Sequence, residues 1–339
     1  MRYLEGQPRE KILAERPARF TAGEAREALA ELLQILEESR CGGCWLERVS
    51  ERFEFIPSSD DPEQADVLFT GYFQPLLDAS PVATPEYRFP LYRRPPDLIT
   101  AELVTATPEV AVERVTGRVE GESFLPYYSR REIEESDRLR GHEIAWVKDP
   151  VDLFFLHVQG SGVLRFADGR RLHVSYAASN GRPYRSIGRL LADAGRIPRE
   201  EMSMQRLRRY LAEHPEEQRD IMAHNESYVF FRAVEDGPLG SLDFPLTPGR
   251  SIATDGRLFP KGALAFIATD VPVVDAAGEL KGWRPTTRFV LNQDTGSAIR
   301  GPRRADLYFG TGETAGAAAG LMNRPGRLYF LKLKQPGRR

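Results

Sequence analysis

The chain has 339 residues, 41% of them hydrophobic and 28% charged, with a formal net charge of −2. At roughly 150 residues per domain that length predicts two domains, and the mix of apolar and charged residues excludes a disordered chain. The near-neutral balance gives no overall pull toward nucleic acid or anionic lipid, no window reaches the ~18 apolar residues of a membrane span, and Met1 to Ala18 lacks the apolar core of a secretion signal.

Thr21 and Glu24 have capping-box spacing, and Ala25, Ala28, Leu29, Leu32, Leu33 and Leu36 follow at helical intervals, which predicts an amphipathic helix over 22–38. Cys41 and Cys44 come after it. A redox pair places its first thiolate at a helix start, so these two read as a local disulfide or plain thiols. A strand over 67–69 is expected to run into a turn, Thr70-Gly71-Tyr72-Phe73-Gln74-Pro75, whose exposed rings suit a sugar.

Pro81, Pro85, Pro90, Pro95 and Pro96 interrupt any helical pattern, so strands and loops are expected until past residue 180. The exception is a short charged helix over 130–139, capped by Ser129. His157 lies in the apolar run 152–158 and reads as a satisfied core histidine rather than a metal ligand; the five histidines show no ligand spacing, and neither a metal nor a cofactor is expected. Segments 163–166 and 172–176 flank Ala167-Asp168-Gly169-Arg170 as a hairpin. Helices over 186–194 and 199–213, a third reaching 223, and a strand over 228–232 follow, and the Gly- and Pro-rich stretch 235–248 reads as a crossing between domains. In the last hundred residues, short strands (251–254, 263–269, 287–292, 305–309, 327–332) alternate with turns and one helix over 313–320, the spacing of a small barrel.

The densest chemistry lies in Asn292-Gln293-Asp294-Thr295-Gly296, followed by Ala305-Asp306-Leu307-Tyr308-Phe309. Asp306 falls among apolar strand residues. There it is either an acid kept protonated by apolar walls or an exposed strand-edge carboxylate, and Arg303 or Arg304 turned inward would oppose the protonated form. Asp294 is expected to cap the turn that follows it. Asp294-Thr295-Gly296-Ser297 imitates an aspartic-protease signature, but that chemistry needs a second such aspartate and none is present; Thr254-Asp255-Gly256 has the wrong order. No Gly-x-Ser-x-Gly elbow or phosphate loop occurs.

Five ordered blocks resemble the membrane-bound lytic murein transglycosylase A family: Phe69-Thr70-Gly71-Tyr72-Phe73; His157-Val158-Gln159-Gly160-Ser161-Gly162; Tyr176-Ala177 with Asn180-Gly181 and Tyr184-Arg185-Ser186-Ile187-Gly188; Asn225 to Phe231; and Asp294 to Gly316. The resemblance implies a mainly β protein with some α. It has a double-psi β-barrel domain (1–103 with 236–339) and an inserted, mostly β domain (104–235), with the outward crossing near 101–108. It implies Asp306 as catalytic acid with Asp294 before it in the barrel, and glycan contacts from Tyr72, Gln159, Gly160, Ser161, Gly162, Asn225 and Gly301, although each has a plain structural reading as well. The implied reaction cuts the MurNAc–GlcNAc bond and leaves a 1,6-anhydro end, unlike two-carboxylate hydrolysis. An inverting glycosidase and a wall-binding protein without turnover stay open beside it. The implied partners are peptidoglycan strands and other cell-wall enzymes, with a monomeric chain in the periplasm, anchored to the outer membrane. Gln74 and Thr314 stand where related sequences often carry an acid.

Overall fold

The structure is a computed structural model describing residues 1–16, 18–38, 44–59, 61, 66–103, 113–296 and 298–334. Cys41, the side chain of Cys44 and the 104–108 part of the expected crossing lie outside the described residues.

The chain begins with α1 (Arg2–Glu5), β1 (Ile12–Ala14), β2 (Phe20–Thr21), α2 (Ala22–Glu38), α3 (Cys44–Arg52), β3 (Phe53–Pro57) and β4 (Val67–Gln74). Next come β5 (Leu76–Ser80), β6 (Phe89–Tyr92), β7 (Ile99–Leu103), β8 (Glu113–Glu120), β9 (Ser123–Pro126), α4 (Arg130–Glu134) and β10 (Glu143–Val147). They lead to α5 (Pro150–Gln159), β11 (Ser161–Phe166), β12 (Arg171–Ser179), α6 (Ile187–Asp193), α7 (Met204–Glu213), α8 (Gln218–Ala223) and β13 (Val229–Val234). The last segment holds β14 (Ser251–Thr254), β15 (Leu264–Val274), β16 (Leu280–Thr295), β17 (Arg304–Thr311), α9 (Glu313–Leu321) and β18 (Asn323–Leu333). Two compact units result, one of Met1–Phe73 with Leu239–Arg339 and one of Gln74–Pro238.

In the first unit the strands run β15-β16-β14-β17-β4-β18, and β18 pairs again with β15, so six strands close into a barrel with β3 added beside β18. Closure removes the free strand edges that would otherwise invite pairing with other chains. Strand alternation sorts the side chains: Val67, Phe69, Ala305 and Leu307 join Ile252 and Phe330 in the apolar core, and the intervening Thr70, Tyr72, Arg304, Asp306 and Tyr308 share the opposite face. A barrel assembled from both ends of the chain, with a β-rich unit inserted, is the architecture that the family resemblance implied.

The helix over 22–38 forms as its cap predicts. Thr21 N donates to Glu24 Oε2 at 2.9 Å, and Glu24 N donates to Thr21 Oγ1 at 3.2 Å. Its buried stripe is Ala22, Ala25, Ala28, Leu29, Leu32 and Ile35, while Leu33 and Leu36 face solvent. The expected turn after 69 is instead a strand continuing to Gln74. Gly71 is required there by close approach: a Cβ would lie 2.6 Å from the Cα of Ala319 in α9.

The second unit carries a six-stranded sheet, β13-β12-β11-β5-β10-β6, and a separate three-stranded sheet, β7-β8-β9. β5 enters parallel to β11 and β7 pairs with β8, so residues 76–103 belong with this unit. The division falls at Phe73/Gln74, about thirty residues before the crossing read from the sequence; the return at Pro238/Leu239 lies inside the 235–248 stretch. The run 152–158, expected in a strand region, is helix α5. Asp149 accepts from Val151 N at 2.7 Å, Pro150 opens the first turn, and Gly160 closes the last in the left-handed region at φ 77°. The hairpin of β11 and β12 is present where it was expected, with Val163 opposite His173.

Candidate active site in the barrel unit

Asp306 lies on β17 with 19% of its side chain exposed. On neighbouring β4, the Thr70 hydroxyl donates to Asp306 Oδ1. Arg304, two residues before Asp306 on the same face, places Nη2 at 3.3 Å from Asp306 Oδ1 and 3.1 Å from Thr70 Oγ1. The next pair along the face is aromatic, Tyr72 against Tyr308, with ring centroids 5.2 Å apart. Hence the apolar walls expected around Asp306 are not its surroundings. A hydroxyl and a guanidinium are, because strand alternation puts Arg304 and Asp306 on one side.

Asp294 stands across a single strand from it. Ala253 of β14 is the register partner of Asp294 on β16 and of Asp306 on β17. With neighbouring strands about 4.8 Å apart, the two aspartate backbones are separated by roughly 10 Å and project to the same face. Asp294 Oδ1 accepts from Thr295 N at 2.8 Å, the turn cap that the sequence predicted, and also from Ser241 N at 2.9 Å. Burial pushes its pKa up from 3.8 to about 6, against the opposing pull of those two N–H groups, the Tyr72 hydroxyl and the Lys261 ammonium. The carboxyl that burial favours in its protonated form is therefore Asp294.

Tyr72 joins the two aspartates electrostatically. Burial first, then the charges of Asp294 and Asp306, drive its pKa well above the ordinary value, so it stays a neutral phenol. Its buried hydroxyl has no partner in good hydrogen-bond geometry among the described residues, which leaves a donor beside the Asp294 carboxyl.

Gly301 has φ 81°, in the turn between β16 and β17, and its N–H donates to Asp255 Oδ2 at 3.0 Å. Asp255 is buried. Desolvation would raise its pKa, but the Arg257 side chain and the N–H groups of Gly301 and Arg257 outweigh that and hold it at about 2. Asp255 thus secures the turn joining the two aspartate strands. The sequence drew attention to Thr254-Asp255-Gly256 only as a failed protease motif; Ser241 and Lys261 carried no local signal, since their relation to Asp294 is made by the fold.

The remaining sequence candidates belong to the second unit. Gln159 ends α5, and Gly160 is its left-handed cap. Ser161 starts β11, and Gly162 leaves room for Leu156, whose Cδ1 would lie 2.4 Å from an added Cβ. Asn225 is buried; its Oδ1 accepts from Arg185 N at 3.0 Å and its carbonyl from Arg130 Nε at 3.0 Å, so it braces the neighbouring loops. His157 is buried in the core as expected, but it is not fully satisfied, because its Nε2 has no hydrogen-bond partner among the described residues. Burial and then the adjacent Arg130 lower its pKa well below the ordinary value, and Arg130 Nη1 lies 3.0 Å from Nδ1.

Comparison with known proteins gives this two-part organisation a class. Residues 68–232 match the MltA specific insert domain, and residues 250–332 match the 3D domain. Membrane-bound lytic murein transglycosylase A of Escherichia coli K12 is 35% identical over 270 residues, 79% of this chain, and the match spans 66% of that relative's length. The Vibrio cholerae protein of the same name is 30% identical over 275 residues, covering 80% of this chain and 67% of the relative. Among solved structures, the membrane-bound lytic murein transglycosylase from Agrobacterium tumefaciens superposes with a TM-score of 0.75 at 34% identity, covering 93% of this chain and 85% of that one. Escherichia coli MltA with bound chitohexaose gives 0.72 at 29% identity, covering 92% and 84%. The chain belongs to the membrane-bound lytic murein transglycosylase A family.

Proposed function

We propose that this protein is a lytic transglycosylase that cuts the β-1,4 bond between MurNAc and GlcNAc in peptidoglycan, with Asp306 as the group that meets the scissile bond. Its carboxyl gives a proton to the bridging oxygen as the C1–O bond breaks. As carboxylate it then takes the proton of the C6 hydroxyl that attacks C1, so that atoms balance without water and a 1,6-anhydro end results. The observation that carries this reading is the pairing of Asp306 and Asp294 across β14 with a neutral Tyr72 against both.

Arg304 and Thr70 bind the carboxylate state of Asp306 that the second half-reaction uses. Asp294 takes part as the second carboxyl on the same face across β14: burial raises its pKa to about 6, which limits the negative charge beside the reacting group near neutrality. Tyr72 contributes a hydrogen-bond donor, and Gly301 a turn at the rim of the same strands. Gln159 to Gly162 and Asn225 support the loops of the inserted unit, which contributes glycan contacts. A bound chitohexaose in a related structure supports a glycan as ligand. The relatives' designation as membrane-bound supports an envelope location. We further propose that the chain acts as a monomer alongside other cell-wall enzymes.

Digestion of purified murein followed by mass spectrometry tests the reading. Wild-type protein should release muropeptides one water lighter than hydrolytic fragments, and Asp306→Ala should release none. Binding without any fragment would leave only the wall-binding alternative.

A further inference from the structure

We propose that the turn over 239–246 is a positioning device for Asp294, and that the Ser241 backbone N–H is its working group. The proposal rests on Asp294 taking part in the reaction, as read above. Two N–H groups converge on one carboxylate oxygen: Thr295 N at 2.8 Å and Ser241 N at 2.9 Å both donate to Oδ1. Thr295 is the next residue on the strand, so its contact fixes the carboxyl only relative to its own backbone. Ser241 comes from another segment, 53 residues away, and so fixes the carboxyl relative to the barrel.

The turn is built to hold that N–H in place. Gly240 N donates to Phe244 O at 3.0 Å, Asp243 N donates to Gly240 O at 2.9 Å, and Leu239 bridges Pro245. Asp243 takes the left-handed conformation at φ 58° that closes the loop. Gly240 lies flat on the strand residue preceding Asp294. A Cβ there would come within 2.6 Å of the Gln293 carbonyl oxygen and 2.7 Å of Leu246 Cδ2, so any larger residue must lift the turn from β16.

The far side is anchored as well. The Phe244 ring meets Tyr3 of α1 edge-on, with centroids 6.5 Å apart and planes at 74°. Tyr3 is seated over Gly262, where a Cβ would lie 2.9 Å from its Cδ1. Thus α1, Phe244 and Gly240 clamp the turn between the N-terminal helix and β16, and Ser241 N is delivered to Asp294 from that clamp. The Ser241 side chain is not the agent, since the residue is exposed and the contact is made by its backbone.

The groups facing Asp294 are Tyr72 from β4 and Lys261 from the segment after β14, with Asp306 beyond β14. None of these groups belongs to the turn itself. Losing the Ser241 donor therefore acts on Asp294 in one direction: its carboxylate is less favoured, and the pH limb that reports it moves upward.

Three variants test this on the full chain with murein as substrate: Gly240→Ala, Ser241→Pro, which deletes the N–H, and Phe244→Ala, which leaves the N–H but loosens its anchor. The first two should lower kcat about ten- to a hundredfold, the range expected for one hydrogen bond to a charged group, with KM nearly unchanged and the limb shifted upward. Phe244→Ala should show the same pattern more weakly, and it gives the answer if the other two do not fold. Folded variants with wild-type kcat and an unmoved limb overturn the proposal, as does a kcat loss without any shift of the limb. Asp294→Asn measured alongside separates the two layers. If it keeps full activity the reading of Asp294 fails, whereas if it is inactive and the turn variants are not impaired only the positioning proposal fails.

Discussion

Replacing Asp294 by asparagine should stabilise the protein at neutral pH while damaging its activity. Asparagine is nearly isosteric and keeps an Oδ1 acceptor for Ser241 N and Thr295 N, so the local hydrogen bonds survive and only the titratable charge is lost. Burial raises the Asp294 pKa from 3.8 to about 6, roughly two units, and each unit corresponds to about 1.4 kcal/mol, giving about 3 kcal/mol in all. The sign follows from linkage. Between the two pKa values the folded state holds the proton more tightly than the unfolded state, so stability falls as pH rises through that window. The penalty is absent below 3.8 and complete above about 6. Urea unfolding of wild type and Asp294→Asn, followed by tryptophan fluorescence at pH 4 and pH 7.5, should therefore show nearly equal stabilities at the lower pH. At the higher pH the variant should be more stable by up to about 3 kcal/mol. A variant no more stable than wild type at pH 7.5, or one whose advantage is equal at both pH values, would refute the claim that the site holds a desolvated carboxyl at a cost to the fold.

Two more substitutions probe neighbouring contacts. Lys261→Met removes an ammonium whose charge favours the Asp294 carboxylate, so the pH limb of kcat assigned to Asp294 should shift upward while the fold is kept; a downward shift would contradict the electrostatic account. Thr70→Val keeps the shape of the side chain but deletes the hydroxyl that donates to Asp306 Oδ1. It should cost about tenfold in kcat with little change in melting temperature, and full activity would show that this donor is idle.

The barrel was legible because its strands announce themselves by short apolar segments between glycine and proline turns, and because α2 carries its own cap. What failed were features decided by tertiary contact. The α2 stripe keeps Ala25, Ala28, Leu29 and Leu32 but ends on Ile35 and leaves Leu33 and Leu36 in solvent, a choice that only the surface beneath the helix makes. The strand through Gly71 looked like a turn because nothing local tells that α9 presses against it and demands a glycine. Helix α5 does carry legible ends, since Asp149-Pro150 and Gly160 are start and stop signals, although the prolines upstream favour strands and loops. At the site, Asp294 and Asp306 were visible as residues, but their environments were not. The apolar neighbours of Asp306 in sequence point into the barrel core, so alternation leaves Asp306 with Arg304 and Thr70, and the desolvated carboxyl is Asp294. Asp255 and Ser241 reach their targets across 46 and 53 residues, a distance over which no spacing rule operates.

In the proposed reaction the sugar's own C6 hydroxyl attacks C1, and the protons pass through Asp306. Digesting murein in heavy-oxygen water and weighing the new ends separates this route from hydrolysis. Wild-type protein should yield anhydro ends with no heavy oxygen, and Asp306→Ala no new ends; reducing ends carrying heavy oxygen would mark the protein as a hydrolase instead.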